Sequence, residues 1–214
     1  MRRTARKIEL EISEDSLNND LEKYRQEAIR LGATDSKIVT SDVIPIDDRV
    51  VLKCEIPVCF GYGTCANCPP NTITPSELRN LITKYKHAIF FKLEVKPEVI
   101  VRNRETILER AGAYQKIFEI VSAVESMAFY DGYYLAVGFA AGSCKSTYCY
   151  KVECSALRGE RCRHELRVRP SMEAVGIDAY RLATSLGWDV YPIGSDCDPR
   201  DIPKGSLMGL VLVH

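Results

Sequence analysis

The sequence predicts an α/β protein: a single domain in which two pseudo-repeated units, each a strand, a cysteine-rich loop, a helix and a strand, surround a long central helix. Three observations lead there. Segments rich in β-branched residues alternate with segments whose apolar positions recur every three or four residues. Eight of the nine cysteines fall into two sets, Cys54, Cys59, Cys65, Cys68 and Cys144, Cys149, Cys154, Cys162, each in a loop-like stretch. Between the sets, residues 104–130 place Ile107, Leu108, Ala111, Tyr114, Ile117, Phe118, Val121, Val124 and Ala128 on one helical stripe, about seven turns long.

Taken in order, residues 13–31 carry Leu17, Leu21, Tyr24, Ala28 and Leu31 at helical spacing, a surface helix stopped by Gly32 and packed as a lid. Residues 36–45 and 49–53 read as two strands joined by a turn at Asp47-Asp48, the second delivering Cys54. Thr74 is a helix N-cap, Pro75 takes the first helical position and Glu77 closes a capping box, which starts a helix running to about residue 86. HAIFFKLE, residues 87–94, reads as a buried strand. Asp131-Gly132 breaks the long helix, and residues 133–141 form an apolar strand entering the second cysteine segment. A helix over 171–186 capped by Gly187, and strands over 188–193 and 207–213, complete the chain.

The order of elements suggests an internal repeat. Pro75-Ser76-Glu77 echoes Pro170-Ser171-Met172-Glu173, and the last cysteine of each set precedes that proline by seven and eight residues. The expected organisation is one metal-binding domain over residues 1–214, with an N-terminal helix in 1–35 and halves at about 36–95 and 133–214.

A chain of 214 residues with 46% hydrophobic content can bury an ordinary core. Lys plus Arg and Asp plus Glu each total 29, so no net charge draws the chain to nucleic acid or an anionic membrane. The basic start, residues 1–7, runs into IELEISEDS without the apolar core of an export signal. The longest apolar stretch, 133–142, is about half of the roughly 20 residues a spanning helix needs, so no membrane segment is expected. The expected setting is a reducing cytoplasm, where cysteines at ligand-like spacing are read as metal ligands before disulfides; the odd count agrees.

In CEIPVCFGYGTCANCPP the gaps between thiols are four, five and two residues. Gly61 and Gly63 permit tight turns, and Cys68-Pro69-Pro70 ends regular structure while leaving fewer amides unpaired. Four close thiolates suit one soft metal centre. Iron-sulfur clusters take four ligands each, tolerate irregular spacing and often include a Cys-Pro pair, as Cys68-Pro69 does. Zinc prefers paired CxxC knuckles, and only Cys65 to Cys68 has that spacing. The irregular gaps favour two [4Fe-4S] clusters, one per set, over zinc; exchange of ligands between the sets stays open.

These residues also carry a family resemblance. KCEIPVCFGYGTCANCPP, SCKSTYCYKVEC, CRHELRVRPSMEAVGID and TPSELRNLITKY together resemble the domain-of-unknown-function 2284 family, described as predicted metal-binding proteins. The resemblance covers about residues 36–190, and the combination of CPP with RPSMEAxGID makes it specific. It implies a cysteine-rich, iron-sulfur protein of the kind found in anaerobic archaea and bacteria, and brings no activity with it. Cys54, Cys59 and Cys68 match the family positions better than Cys65 does, and the second segment is more widely spaced than the family's.

Other chemistry finds no support. There is no dinucleotide fingerprint, Walker motif or Ser-His-Asp constellation, and His87, His164 and His214 are scattered. His164, beside Cys162, is a candidate cluster neighbour; Cys197 lies in an acidic turn that disfavours a thiolate. The expected function is ferredoxin-like electron transfer, or service as a redox accessory subunit to a partner protein, without enzyme activity of its own. A zinc-stapled interaction module and a small iron-sulfur reductase with an open cluster site are the alternatives.

Overall fold

The computed structural model describes residues 4–101, 105–194 and 196–214. In chain order its elements are α1 (Glu14–Arg30), β1 (Asp35–Thr40), α2 (Asp48–Glu55), α3 (Pro75–Ile82), β2 (His87–Val95), α4 (Pro97–Ile100), α5 (Ile107–Tyr130), β3 (Val137–Phe139), α6 (Cys144–Thr147), α7 (Ala179–Ser185) and β4 (Gly205–Leu212), with short 3-10 turns between. The architecture is mixed α/β around one antiparallel sheet of order β1-β2-β4-β3, so strands from both halves of the chain lie side by side.

Both faces of that sheet are covered, which is why HAIFF reads as an unbroken apolar run. Ile89 and Phe91 pack with Val211 against α1 and α5, while Ala88 and Phe90 pack with Leu210 and Leu212 against α3 and α7. Phe91 lies opposite Gly209, where a Cβ would sit 2.6 Å from the Phe91 ring and 2.8 Å from Val121 Cγ2. The bare backbone there lets α5 close onto the sheet. The long helix thus backs the sheet as expected, although Ile107 and Leu108, counted in its stripe, are 54% and 83% exposed. Its predicted start at Arg104 lies outside the described residues.

Several elements differ from the sequence expectation. Residues 49–53 are not a strand but part of α2, because the Asp47 carboxylate caps the first turn by accepting from the Arg49 amide at 2.9 Å. A local cap outweighed the β preference of Val50 and Val51. The helix after Thr74 keeps its capping box but ends at Ile82 rather than near residue 86. Of residues 133–141 only Val137–Phe139 forms a strand; Tyr133 instead donates from its hydroxyl to Asp20 at 3.0 Å. The helix expected over 171–186 is split: Glu173–Val175 is a 3-10 turn, Gly176 takes φ +88°, and Asp178 caps α7 afresh. The second Pro-Ser therefore enters a bridge between Ala140 and Ser171, not a helix. Residues 188–193 form no strand; Trp188 stacks on Phe90 at 5.0 Å and its indole N–H donates to Asp35. Its aromatic signal belonged to core packing.

Candidate metal centre

Both cysteine segments are long excursions from this framework. The second leaves the sheet after Ala140 and returns at Ser171, where the Ala140 amide donates to Pro170 O at 2.8 Å and the Met172 amide to Ala140 O at 3.0 Å. Glu125 of α5 ties down both ends, accepting from the Gly138 amide at 3.2 Å and from Arg169 Nε at 2.5 Å. Tyr148 anchors the middle by packing its ring on Phe118 of α5 at 5.6 Å. The first excursion, 56–74, runs between α2 and α3 as a series of turns. Connections longer than about 15 residues without regular structure are usually functional.

Within the first segment, Cys54 sits in the last turn of α2 and the Cys59 amide donates to its carbonyl at 2.9 Å, which brings the two residues together. Burial raises the Cys54 thiol's pKa, and the neighbouring Cys59 adds to the effect. Cys65 and Cys68 close a turn, the Cys68 amide donating to Cys65 O at 3.3 Å, and Asn71 Nδ2 holds the same carbonyl. Gly61 is required by contact: a Cβ there would lie 2.9 Å from Cys68 Sγ and 3.2 Å from Ser143 Oγ.

Within the second segment, Cys144 opens α6 behind the N-cap Ser143, and Cys154 precedes a 3-10 turn over Ser155–Arg158. Cys149 is raised in pKa by burial and by the nearby Cys162 and Cys154. The His164 amide donates to Cys162 Sγ at 3.4 Å while its ring tilts against Tyr148 at 5.1 Å. Cys144, Cys149, Cys154 and Cys162 wall a cavity of about 260 Å³ together with His164 and, from the first segment, Cys65.

The two sequence sets therefore meet. Cys65, Cys68 and Cys144 are buried side by side, and the Ser143 hydroxyl lies 3.8 Å from Cys65 Sγ and 3.3 Å from Cys68 Sγ. Asn67 Nδ2 donates to Cys144 Sγ at 3.6 Å. Hydrogen bonding among the three thiols, from Cys144 and then Cys68, lowers the Cys65 pKa and raises those of Cys68 and Cys144. Cys54 and Cys59 flank this triangle outside the cavity, and Cys197 stands apart with its thiol donating to Gly194 O at 2.9 Å. Ser195, the first residue of its acidic turn, is outside the described residues.

The sequence overlooked Ser143, Asn67 and the contact made by Gly61. Asn67 lies inside the CxxC and Ser143 directly before Cys144, positions from which side chains reach sulfur; the pairing across segments had no local signal.

The donor set suits a soft metal group. All nine cysteines are free, five of them line one cavity, and hydroxyl, carboxamide and amide donors lie beside the sulfurs of Cys65, Cys68, Cys144 and Cys162. Among the described residues, no three His, Cys, Asp or Glu side chains converge at the spacing of a single ion; the thiols stand around a space. Fold and site together describe a cysteine-rich metal-binding α/β protein. The chain belongs to the family of predicted metal-binding proteins designated DUF2284, whose model matches residues 37–213. No curated protein and no solved structure matches it.

Proposed function

We propose that this is an iron-sulfur protein that holds two [4Fe-4S] clusters on Cys54, Cys59, Cys65, Cys68, Cys144, Cys149, Cys154 and Cys162 and relays electrons for a partner protein. The observation that carries the reading is the cavity of about 260 Å³ walled by five cysteines. Structural zinc sites close four ligands around the ion at about 2.3 Å and leave no such void. Against the roughly 30 Å³ share of one water, the space suits a group of several atoms.

When bound, such clusters supply reversible one-electron transfer. The chain's part is to hold and tune them. Thiolates ligate, and the His164 amide and Asn67 carboxamide donate to sulfur. Contact between Cys65 and Cys144 supports a reading in which two centres lie next to each other, as a relay requires. Around them, Tyr150, Val152, Leu157 and Leu166 are exposed, an apolar rim on which a partner would dock. Free thiols accord with a reducing cytoplasm, and no helix among the described residues is long and apolar enough to cross a membrane. One metal-binding domain with a duplicated plan belongs to the same proposal: β1 with β2 and β3 with β4 are antiparallel pairs joined through β2 and β4.

The test is a reductive titration of anaerobically purified protein, followed by electron paramagnetic resonance. Both centres are expected to take up and return one electron each. Metals that stay redox-silent while holding the chain folded would replace the relay with an interaction module.

A further inference from the structure

We infer that a second cavity, lined by the 3-10 turn Glu173–Val175 and strand β4, binds a small organic cation of the alkylammonium class. It measures about 100 Å³ and shares no lining residue with the cysteine-walled cavity. Tyr114, Glu173, Tyr180, Tyr191 and Ser206 bring polar groups to it, and Met208 stands among its aliphatic walls. Against the roughly 30 Å³ share of one water, the space takes a molecule of a few non-hydrogen atoms. The stretch Ala141–Gly142 in its wall leads straight into Ser143 and Cys144, and the charge of Glu173 reaches Cys54. The site thus adjoins the candidate metal centre without using its thiols.

Two lining groups lack a partner that such a ligand supplies. Glu173 is half-buried, and no Lys, Arg or His among the described residues pairs with it; its carboxyl meets only its own amide and the Ser171 hydroxyl. Burial raises its pKa, as it does for a carboxylate taken from water without a positive neighbour. Ser206 keeps a buried hydroxyl with no hydrogen-bond partner, an acceptor left for an ammonium N–H. The sign of the ligand's charge follows from what surrounds it. Among the described residues no basic side chain lines the cavity, and Lys204, whose charge reaches Tyr191, is already paired with Glu94 at 2.9 Å. A carboxyl without a counter-charge disfavours anions, whereas tyrosine rings attract cations and aliphatic walls accept alkyl groups.

Calorimetric titration of the full chain with propylammonium, 1-propanol, propionate and potassium, all at one ionic strength, tests the site. Propylammonium is expected to bind about tenfold or more tightly than 1-propanol, which has the same alkyl chain without the charge. Propionate and potassium are expected to give no measurable binding. Glu173→Gln keeps the shape and removes the charge, so it should weaken propylammonium about tenfold and leave 1-propanol unchanged. Tyr180 is 50% exposed on α7, which makes Tyr180→Leu a second variant that spares the core; its expected loss is about fivefold. Should Glu173→Gln fail to fold by circular dichroism, Tyr180→Leu decides. Propylammonium affinity that 1-propanol or potassium matches, affinity unchanged in the folded variants, or no binding of propylammonium overturns the proposal. None of these outcomes bears on the iron-sulfur reading, which metal analysis tests separately.

Discussion

Stripping the metal with a chelator is expected to release residues 56–74 and 141–170 from their folded arrangement while the sheet stays intact. Both segments are almost free of regular structure. Ile56, Val58, Tyr150 and Leu166 are 66%, 74%, 60% and 80% exposed, so little apolar burial holds the excursions in place. Their order then depends on shared sulfur ligands, and ligand binding is folding energy for such loops. Strands β2 and β4, by contrast, bury Phe90, Phe91, Leu210 and Val211 completely. Amide hydrogen exchange should speed up on the order of a hundredfold in the two segments and change little in β2 and β4. Unaltered protection in the segments after complete metal removal would show that packing alone orders them.

Gly142→Ala is expected to destabilise the protein by about 3 kcal/mol, combining the cost of a left-handed backbone with that of overpacking. Gly142 has φ +69°, and a Cβ there would lie 2.5 Å from Tyr114 Cε1 and 2.7 Å from Cδ1. Tyr114 belongs to α5, which is pinned to the sheet, so relief comes from turning its ring out of its packed position or from shifting the helix. Gly159→Ala is the matched control: φ is +77° but nothing lies within 4 Å, so only the backbone term of about 1 kcal/mol applies. Urea unfolding of both variants measures the difference. Equal losses would mean that the Tyr114 contact carries no weight.

What the sequence made legible follows the range of each signal. The capping box at Thr74 and Glu77, the stop at Gly32 and the buried run HAIFF depend on residues a few positions apart, and each appears where expected. RVVLK failed because β-branched composition was weighed above the Asp47 cap, two residues from the amide it satisfies. Residues 188–193 failed because Trp188 serves the core from a loop, a role that periodicity cannot separate from a strand. For the site, the gathering of eight cysteines into two short stretches was visible, and it agrees with the family's description as predicted metal-binding proteins. Their grouping in space was not visible. The contact of Cys65 with Cys144 spans the sheet strands and the whole of α5, and only the closure of Ala140 on Ser171 brings the segments together.

Central to this account is that eight thiols hold iron and sulfide rather than single ions. Anaerobic purification followed by iron, sulfide and zinc analysis addresses it directly. The expected result is a brown protein with about eight iron atoms and about eight sulfides per chain. A colourless protein with about one or two zinc ions and no sulfide would contradict it.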